Sequence, residues 1–537
     1  MGRNRFQKMC ALVLCVCMLA AMAACSGKGK EGTDNSANKD AAGTAATGSS
    51  GKERELVTFE VERGSKPVDP MVLDYIKEKF GIEFHYIEVA DASTVMTQLG
   101  AGDVPDLVDG VKAELMSLDV ENLFLPVSDY FDKLPNYVKY LEQDPDKECA
   151  FMLNDDGSKG KSYYLNYYRE NPTVDYSVPS VREDLFKQTG LTELPKDYDE
   201  LYVMLKKLKE LDPENYPWTE RDGTEKLLIC NAFPFGTGYI NKTKGMYYEP
   251  LADNGQGNWI YSPTKPEFRN LLIYFAKLYK EGLLDPDYAT QKRDGMDQKY
   301  ASGKASFFME NMSFLTNYET SLKETNPDAK FIAIPLLNNQ VNQPRAVKGT
   351  YPYTTRGTVI KKDVKNLDRL LEYIDWCYSE EGILMTNWGI EGKSYTMADG
   401  KPEFIPAYAD QFKSDANPLT ALLKSFGGGL SNLPFYLDND NEKYFSGANH
   451  LERAALVSSE EGIVFDRSLP PFTPEEKAKV DNYILTIDPV IFPAIEQTIT
   501  NQITIEDYDK VVEQIIGMGA NDLEAVYQQA YNRLQGK

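Results

Sequence analysis

The folded part of the chain opens with strand-like and helix-like segments in alternation. Residues 55–61 alternate apolar and polar side chains like a strand, residues 70–80 place theirs at helical spacing, and residues 82–89 alternate again. A second helix is predicted at residues 91–100 and another strand at residues 106–108. This β-α-β order predicts a parallel sheet covered by helices, and therefore an α/β fold.

Length and charge limit what such a fold can do. The 537 residues exceed what one compact core holds, which favours two or three domains, or a two-lobed unit whose chain passes back and forth. The formal charge of −24 argues against binding to the phosphates of nucleic acid. The two histidines, His85 and His450, are not at a zinc-binding spacing, so we predict neither a metal site nor a cofactor.

The first residues have the pattern of an export signal. Three basic residues precede the apolar run from Ala11 to Ala24, which is shorter than the about 20 residues of a membrane span. Ala23-Ala24-Cys25 resembles the lipobox of bacterial lipoproteins, in which the cysteine carries the lipid, although Met22 departs from the usual leucine. We expect a lipoprotein signal peptide over residues 1–24 and lipid attachment at Cys25. An ordinary secretory signal that is cut nearby is the alternative.

Residues 25–52 contain no large apolar side chain, which predicts a flexible tether between a lipid anchor and the folded chain. Such an anchor would hold the protein on the cell membrane, facing outwards. The cysteines beyond the tether are Cys149, Cys230 and Cys377. They are too far apart for a disulfide framework, although one pair could form. Cys377 lies on the inner face of a predicted helix and is expected to be a core thiol.

Two segments rich in aromatic residues are candidates for ligand contact. Residues 162–168 carry four tyrosines, and strand alternation sends Tyr164 and Tyr168 to one face and the other two to the opposite face. Residues 233–239 combine aromatic rings with proline and glycine, which predicts a loop. Aromatic side chains on a loop can contact a ligand or pack in a core.

Regular structure is predicted to end between residues 373 and 400. A helix over residues 365–378 is followed by a second short helix and by a glycine stop. Trp388, Glu391 and Tyr395 come close together at this point. By itself this segment could be a ligand-binding corner, an active site with one carboxylate, or a tightly packed turn.

Longer helices are predicted in the middle of the chain and at its end. Their apolar side chains recur at helical spacing, and several have a capping residue at the start, such as Asp197, Thr504 and Asn521. The predicted spans are 197–211, 266–281, 475–487, 505–517 and 522–534. We therefore expect a helical C-terminal region.

Several short motifs, in this order, resemble the extracellular solute-binding proteins of family 1, and specifically the large lipoprotein branch that serves carbohydrate ABC importers. Each motif is weak alone, but the ordered set spans almost the whole chain after the signal. The motifs lie at residues 101–107, 181–190, 278–285, 302–305, 379–382, 388–392 and 528–531.

The resemblance implies an α/β, two-lobed, periplasmic-binding-protein-like (type II) fold with three interlobe crossings. It places the crossings near residues 161–168, 331–337 and 388–395. The expected boundaries are residues 53–165 and 337–388 for lobe 1, residues 166–331 and 395–537 for lobe 2, and residues 332–336 and 389–394 for hinge crossings.

The resemblance also implies function. The expected protein is a monomeric, membrane-anchored lipoprotein that captures an oligosaccharide, or another carbohydrate, by lobe closure and delivers it to ABC permease subunits. Aromatic rings would stack on the sugar faces while polar side chains bind the hydroxyls. The candidate ligand-binding residues are Tyr164, Tyr167, Arg182, Phe235, Tyr239, Asn311, Trp388, Glu391 and Tyr395.

Three of these candidates have explicit packing alternatives. Trp388 could belong entirely to the core. Arg182 could form an ion pair on the surface of a lobe, and Glu391 could act as an acceptor that stabilises a turn.

Relatives often carry a calcium loop of the Asp-x-Asn-x-Asn type after the helix that corresponds to residues 197–211. In this chain the segment from Asp212 to Trp218 lacks the alternating oxygen ligands and includes Pro213, so no calcium site is predicted there. Residues 438–442 do alternate oxygen ligands but lack a glycine turn, and a solvated loop is expected.

Two other classes of function stay open at this stage. The protein could be a lipoprotein that binds peptides or another small solute. It could also be a secreted glycoside hydrolase, which would need two carboxylates held about 5 Å or about 6.5–9.5 Å apart. The predicted anchor, the hinge-like segments and the resemblance favour binding without turnover, so no catalytic residue is predicted.

Overall fold

The computed structural model describes residues 54–63, 68–88, 92–144, 146–169, 179–239, 245–248, 258–310, 314–335, 337, 346–348, 353–415, 418–427, 436–445, 463–465 and 468–536. Residues Glu53–Lys537 form one unit by their contacts. The predicted signal peptide, the tether and Cys25 lie outside the described residues.

The described strands, in chain order, are β1 Val57–Arg63, β2 Ile82–Glu88, β3 Leu107–Val111, β4 Tyr164–Arg169, β5 Ser180–Arg182, β6 Met246–Tyr248, β7 Trp259–Tyr261, β8 Phe307–Phe308, β9 Phe331–Ala333, β10 Ala346–Lys348, β11 Tyr353–Ile360, β12 Tyr395–Ala398, β13 Lys401–Phe404, β14 Tyr436–Leu437 and β15 Ile463–Phe465.

The described α-helices are α1 Pro70–Phe80, α2 Ala92–Gly100, α3 Lys112–Leu115, α4 Val120–Leu123, α5 Pro135–Gln143, α6 Glu183–Gln188, α7 Tyr198–Leu211, α8 Gly223–Asn231, α9 Pro266–Lys280, α10 Arg293–Ala301, α11 Leu315–Lys323, α12 Leu367–Cys377, α13 Glu380–Trp388, α14 Pro406–Ala409, α15 Pro418–Ser425, α16 Glu442–Phe445, α17 Pro474–Ile499, α18 Ile505–Gly517 and α19 Ala520–Leu534. None of the helices in the described ranges is long and apolar enough to cross a membrane.

The predicted β-α-β opening is confirmed. Strand β1 pairs in parallel with β2 along its whole length, from Val57 opposite Ile82 to Arg63 opposite Glu88. Helix α1 connects the two strands and begins at Asp69, whose side chain accepts a hydrogen bond from the backbone N–H of Met71 at 3.0 Å. The first sheet has the strand order β14-β4-β11-β3-β1-β2, with β11 antiparallel to both neighbours.

A second, smaller sheet has the order β8-β5-β9. Trp218 extends this sheet, because its backbone forms parallel bridges with Phe307 and with Leu284. The ring of Trp218 is fully buried and packs edge-on against Phe307, with 4.7 Å between ring centres. The two sheets belong to different hydrophobic cores, as expected for a protein with two α/β lobes.

The chain passes three times between these cores. The first core holds the chain up to Tyr168, and the second core begins at Val181. The chain then leaves the second core after Leu337 and is again part of the first core at Ile360. The last passage lies within residues 446–468, because residues up to Phe445 pack against the first core and Leu469 packs against the second.

These passages differ in position from the predicted boundaries. Residues 395–537 were assigned to lobe 2 from the sequence, but Tyr395, Phe404 and Phe426 pack in the same core as Trp388. The described residues between Tyr395 and Phe445 therefore belong to the first lobe. The buried aromatic side chains of β12 to α15 keep it there, since they fill the core that α12 and α13 also cover.

The four tyrosines near β4 also pack differently from the expectation of strict alternation. Tyr163 and Tyr164 pack in a cluster with Val108, whereas Tyr167 and Tyr168 pack in the main first core. All four rings are buried. Strand β4 begins only at Tyr164, and its pairing with β11 shifts register between Asn166 and Tyr168, so strict alternation does not hold across the four tyrosines.

The C-terminal region is helical, as predicted, but two boundaries change. Helix α17 runs to Ile499, well beyond the predicted end at residue 487. Helix α19 begins at Ala520 after Gly519, not after Asn521. Gly519 has φ of +105°, and a Cβ atom there would lie 2.3 Å from the ring of Tyr483, so only glycine fits this start.

The three cysteines in the described residues are buried, and no disulfide joins them to one another. The predicted core position of Cys377 is confirmed, and burial raises the pKa of its thiol to about 12. The open alternative of one disulfide among Cys149, Cys230 and Cys377 is therefore not realised.

Candidate functional site

The directions of the strands show at which edge of the first sheet the chain crosses to the second core. Strands β1, β2, β3, β4 and β14 run in one direction and β11 runs in the other. The chain departs for the second core from the end of β4 and returns at the start of β11, which lie at the same edge. In open α/β sheets, ligands bind beyond the carboxyl ends of the strands, so this edge is the candidate ligand-facing side of the first lobe.

A small polar group lies near this edge. The Tyr167 hydroxyl donates a 2.8 Å hydrogen bond to the Asp109 carboxylate and lies 3.2 Å from the Thr358 hydroxyl. The three residues come from the neighbouring strands β4, β3 and β11, and all are buried. The register places Asp109 directly opposite Thr358, which explains how Tyr167 can reach both side chains.

The corresponding edge of the second sheet follows from the same reasoning. The chain enters β5 from the first core and leaves for the first core after β9, which is antiparallel to β5. Strand β8 is also antiparallel to β5, and Trp218 runs parallel with β8. The residues that follow Trp218 and β8 therefore lie at the edge from which the chain crosses. They include Glu220, Arg221 and Glu310.

Two cations share one buried carboxylate at this second edge. Arg221 Nη2 lies 2.6 Å from Glu310 Oε1, and Arg221 Nε lies 3.2 Å from Glu310 Oε2. Lys226 Nζ lies 2.8 Å from Glu310 Oε1. The Glu310 side chain is 0% exposed, whereas Arg221 and Lys226 are 19% and 13% exposed. The cations can thus contact a ligand while the carboxylate fixes their positions.

Glu220 is a second buried carboxyl group beside this cluster. Its Oε1 accepts a 3.3 Å hydrogen bond from the indole of Trp218, and its Oε2 is buried without a hydrogen-bond partner. Burial, and then the negative charge of Glu310, raise the pKa of Glu220 well above its ordinary range. Both causes favour the protonated form of the Glu220 carboxyl group.

An aromatic ring adjoins the cations. The guanidinium carbon of Arg293 lies 4.1 Å from the ring centre of Phe314, and that of Arg221 lies 5.7 Å from it. Both distances are in the range of a cation–π interaction. The second edge therefore combines charged hydrogen-bonding groups with a ring, which is chemistry suited to a polar ligand with apolar faces.

The structure divides the described candidates for ligand binding between the two lobes. Tyr167 lies in the polar group described above. Tyr164 lies three residues earlier, with Lys112 Nζ 4.3 Å from its ring centre and its own hydroxyl buried without a hydrogen-bond partner. Phe235 packs against Tyr198 at 4.3 Å between ring centres.

The remaining candidates in the second lobe are also placed in packed surroundings. Tyr239 packs against Phe268 at 6.1 Å between ring centres. Arg182 is buried and forms a two-point ion pair with Asp184, at 2.9 and 2.6 Å. Asn311 lies outside the described residues.

Trp388, Glu391 and Tyr395 do come close together, as expected from the sequence. The indole N–H of Trp388 donates a 2.7 Å hydrogen bond to Asp438 Oδ2, and the Trp388 ring lies 4.5 Å from that of Phe404. Tyr395 is buried in the same core, and its backbone bridges to Glu391, whose side chain is exposed. Asp438 directly follows β14, so its bond to Trp388 ties α13 to the edge of the first sheet.

The Asp438 and Asp440 carboxylates of the loop at residues 438–442 have hydrogen-bond or ion-pair partners within the protein. Besides the indole of Trp388, the Asp438 carboxylate accepts a 2.9 Å hydrogen bond from the backbone N–H of Asp440. Asp440 in turn pairs with Lys401 at 3.8 Å. In the part of the chain that the structure describes, no group of three or more acidic, histidine or cysteine side chains could hold a metal ion.

The sequence analysis missed Arg221, Lys226, Glu310, Asp109 and Thr358. The sequence holds a usable signal for two of them: Glu310 directly follows the apolar run 307–309, and Asp109 follows the apolar pair 107–108. Polar residues at the ends of predicted strands are site candidates in a sheet of this kind. The pairing of Arg221 with Glu310 spans 89 positions and carries no local signal.

Two α/β lobes, three chain passages and polar groups at the crossing edges define a two-lobed ligand-binding protein. Residues 67–383 match the family described as bacterial extracellular solute-binding protein, and the chain belongs to that family.

A curated relative and two solved structures illustrate the likeness. Lipoprotein LipO of Bacillus subtilis (strain 168) is 25% identical over 356 residues, which is 64% of this chain and 66% of the relative. The chain thus matches less than two thirds of the length of this curated relative. The alginate-binding protein AlgQ2, solved without calcium ion, superposes with a TM-score of 0.72 and 21% identity, covering 89% of this chain and 98% of that one. The S. pneumoniae ABC-transporter substrate-binding protein FusA in complex with kestose superposes with a TM-score of 0.67 and 17% identity. This superposition covers 89% of this chain and 100% of that one.

Proposed function

We propose that this protein is the substrate-binding lipoprotein of an ABC importer, and that it captures an oligosaccharide between its lobes and delivers it to the permease. The observation that carries the proposal is that the chain crosses between the lobes at two sheet edges, and that each edge presents polar groups. A ligand held between the edges would contact both lobes at once, and its binding energy could then favour a closed arrangement.

The chemistry of the two edges suits a carbohydrate. Sugar hydroxyls both donate and accept hydrogen bonds, and Arg221 and Lys226 are donors held in place by Glu310. Phe314 supplies a ring beside them, and Tyr167 lies near the opposite edge. The solved structures that resemble this chain, an alginate-binding protein and a kestose complex, support the same class of ligand.

The membrane anchor is part of the same proposal. The lipobox-like sequence at Cys25 and the tether over residues 25–52 support a protein that is lipid-anchored to the cell membrane and faces outwards. The name of the relative LipO, a lipoprotein, supports this location. We propose binding by a monomer, without turnover of the ligand and without a cofactor.

A thermal-shift screen tests the ligand class. The protein without its signal peptide is mixed with neutral oligosaccharides, uronate-containing oligosaccharides and peptides. A specific ligand at about 100 times its dissociation constant stabilises the folded state by about 2.7 kcal/mol. We expect an oligosaccharide to raise Tm. If only peptides raise it, or if bound oligosaccharide is released with new reducing ends, the proposal is wrong.

A further inference from the structure

The loop after α7 is closed by a lysine side chain. Lys209, in the last turn of the helix, donates a 2.7 Å hydrogen bond from Nζ to the backbone carbonyl of Asn215. The same ammonium group lies 4.6 Å from the ring centre of Tyr216. Asn215 also donates from Nδ2 to Asp212 Oδ2 at 2.9 Å. One positive charge therefore joins the helix end to the far side of the loop.

The loop does not fit a calcium ion, although the family resemblance places a calcium loop at this point in relatives. Calcium takes six to eight oxygen ligands. The two oxygens that could begin such a set, on Asp212 and on the Asn215 backbone, already accept hydrogen bonds from the Asn215 amide and from the ammonium of Lys209. Counted from Asp212, Tyr216 stands where the last Asp or Asn of the Asp-x-Asn-x-Asn pattern would lie, and the fully buried ring of Trp218 follows two residues later.

We infer that Lys209 performs in this chain the positioning role that a bound cation would have, so that the fold of the second lobe is independent of divalent metal ions. The loop leads directly into Trp218, whose backbone bridges Phe307 and Leu284. Arg221 follows three residues later, at the candidate ligand-facing edge. Lys209 is thus a positioning residue for this edge, and the inference about the loop does not depend on which ligand binds.

The test compares Lys209→Met with the matched control Lys207→Met. Lys207 lies on the same helix, and its 2.7 Å pair with Glu210 is exposed. Tm of each variant and of the unchanged protein is measured by calorimetry, first in EDTA and then in millimolar calcium chloride. We expect Lys209→Met to lower Tm by about 2–4 °C, the shift typical of losing one such interaction in a domain of this size. The control should leave Tm within about 1 °C of the unchanged protein.

Calcium should change none of these Tm values. A higher Tm of the unchanged protein in calcium than in EDTA, or restoration of the Lys209→Met variant by calcium, would overturn the inference, as would an equal loss in the Lys207→Met control.

Two further variants keep the test decisive if Lys209→Met does not fold. Lys209→Arg keeps the positive charge and should retain most of the stability. Tyr216→Leu removes only the ring beneath the ammonium and should lower Tm by less than Lys209→Met. A Tm of Lys209→Arg that is no higher than that of Lys209→Met would show that the charge does not hold the loop.

Discussion

Arg221 and Glu310 are 89 positions apart in the sequence and are joined by two hydrogen bonds, of 2.6 and 3.2 Å, at one edge of the second sheet. The carboxylate is fully buried and the guanidinium is partly exposed. A buried charge is tolerated only when it is paired, so each residue depends on the other. The stability of the second lobe and the position of the Arg221 guanidinium at the candidate ligand site therefore depend on the same ion pair.

Arg221→Ala should destabilise the protein and weaken ligand binding. Removing one partner of a buried ion pair costs about 3–5 kcal/mol, because the remaining charge has lost its partner. Lys226 also contacts Glu310 and should keep the cost near the lower limit. The free energy of unfolding is measured in urea, and affinity is measured by calorimetry with the oligosaccharide identified in the screen.

Arg269→Ala is the matched control for this prediction. Arg269 forms a similar two-point pair with Asp509, at 2.8 and 2.9 Å, but both side chains are more than a third exposed. An exposed pair contributes about 0–1 kcal/mol. Equal losses of stability in the two variants, or unchanged affinity in Arg221→Ala, would contradict the role given to Arg221.

Trp388→Phe should lower stability without changing ligand affinity. The Trp388 side chain is 3% exposed, packs against Phe404 and donates a hydrogen bond to Asp438. Phenylalanine keeps most of the packing but loses the hydrogen bond to a charged acceptor, which contributes about 1.5–3 kcal/mol. Denaturation and calorimetry measure the two effects separately. Normal stability with a large loss of affinity would place the ring in contact with the ligand.

The Glu220→Gln variant should change the pH dependence of stability. Burial and the charge of Glu310 raise the pKa of Glu220 in the folded protein above its unfolded value of about 4.3. The folded state then holds the proton more tightly, so the contribution of Glu220 to stability falls as pH rises above about 4.3. Glutamine cannot ionise and removes this slope, which reaches at most about 1.4 kcal/mol per pH unit.

Urea denaturation between pH 4 and pH 8 measures the free energy of unfolding of the unchanged protein and of the Glu220→Gln variant. The Glu381→Gln variant is measured for contrast, because the pKa of Glu381 is shifted in the opposite direction. Burial alone would raise the pKa of Glu381, but hydrogen bonds from Lys79, Tyr75 and Trp376 lower it to about 2. The contribution of Glu381 is therefore present above about pH 4.3 and is lost as pH falls through about 2. Parallel stability curves for Glu220→Gln and the unchanged protein would refute the assignment of Glu220.

Cys25→Ser should release the protein from the membrane. Lipid attachment requires the thiol, and the remaining chain has no helix in its described ranges that could span a membrane. After expression in a bacterium that processes lipoproteins, the unchanged protein should fractionate with membranes and the variant should not. Membrane retention of the Cys25→Ser variant would mean that another segment anchors the chain.

Local patterns in the sequence predicted local structure well. The spans of α1 and α18 agree with the prediction, because apolar spacing and the caps at Asp69 and Thr504 act within one or two turns. The third passage between the lobes could not be placed this way. Gly389 and Gly392 both have positive φ and resembled a hinge, yet the residues beyond them return to the first core.

The candidate site was harder to predict than the fold for a physical reason. Tyr167, Asp109 and Thr358 meet because of strand order and register, neither of which is determined by nearby residues. Of the six aromatic candidates, three pack against other rings in a core, namely Phe235, Tyr239 and Trp388. A charged residue directly after a short apolar run, as at Glu310 and Asp109, was the better indicator of the candidate site.

Closure around a ligand is the central claim, and small-angle X-ray scattering tests it most directly. The radius of gyration of the protein without its signal peptide is measured alone and with a saturating concentration of the oligosaccharide found in the screen. Capture between two lobes predicts a smaller radius of gyration with ligand. A radius of gyration that is unchanged at saturation, with binding confirmed by calorimetry in the same sample, would contradict capture by lobe closure.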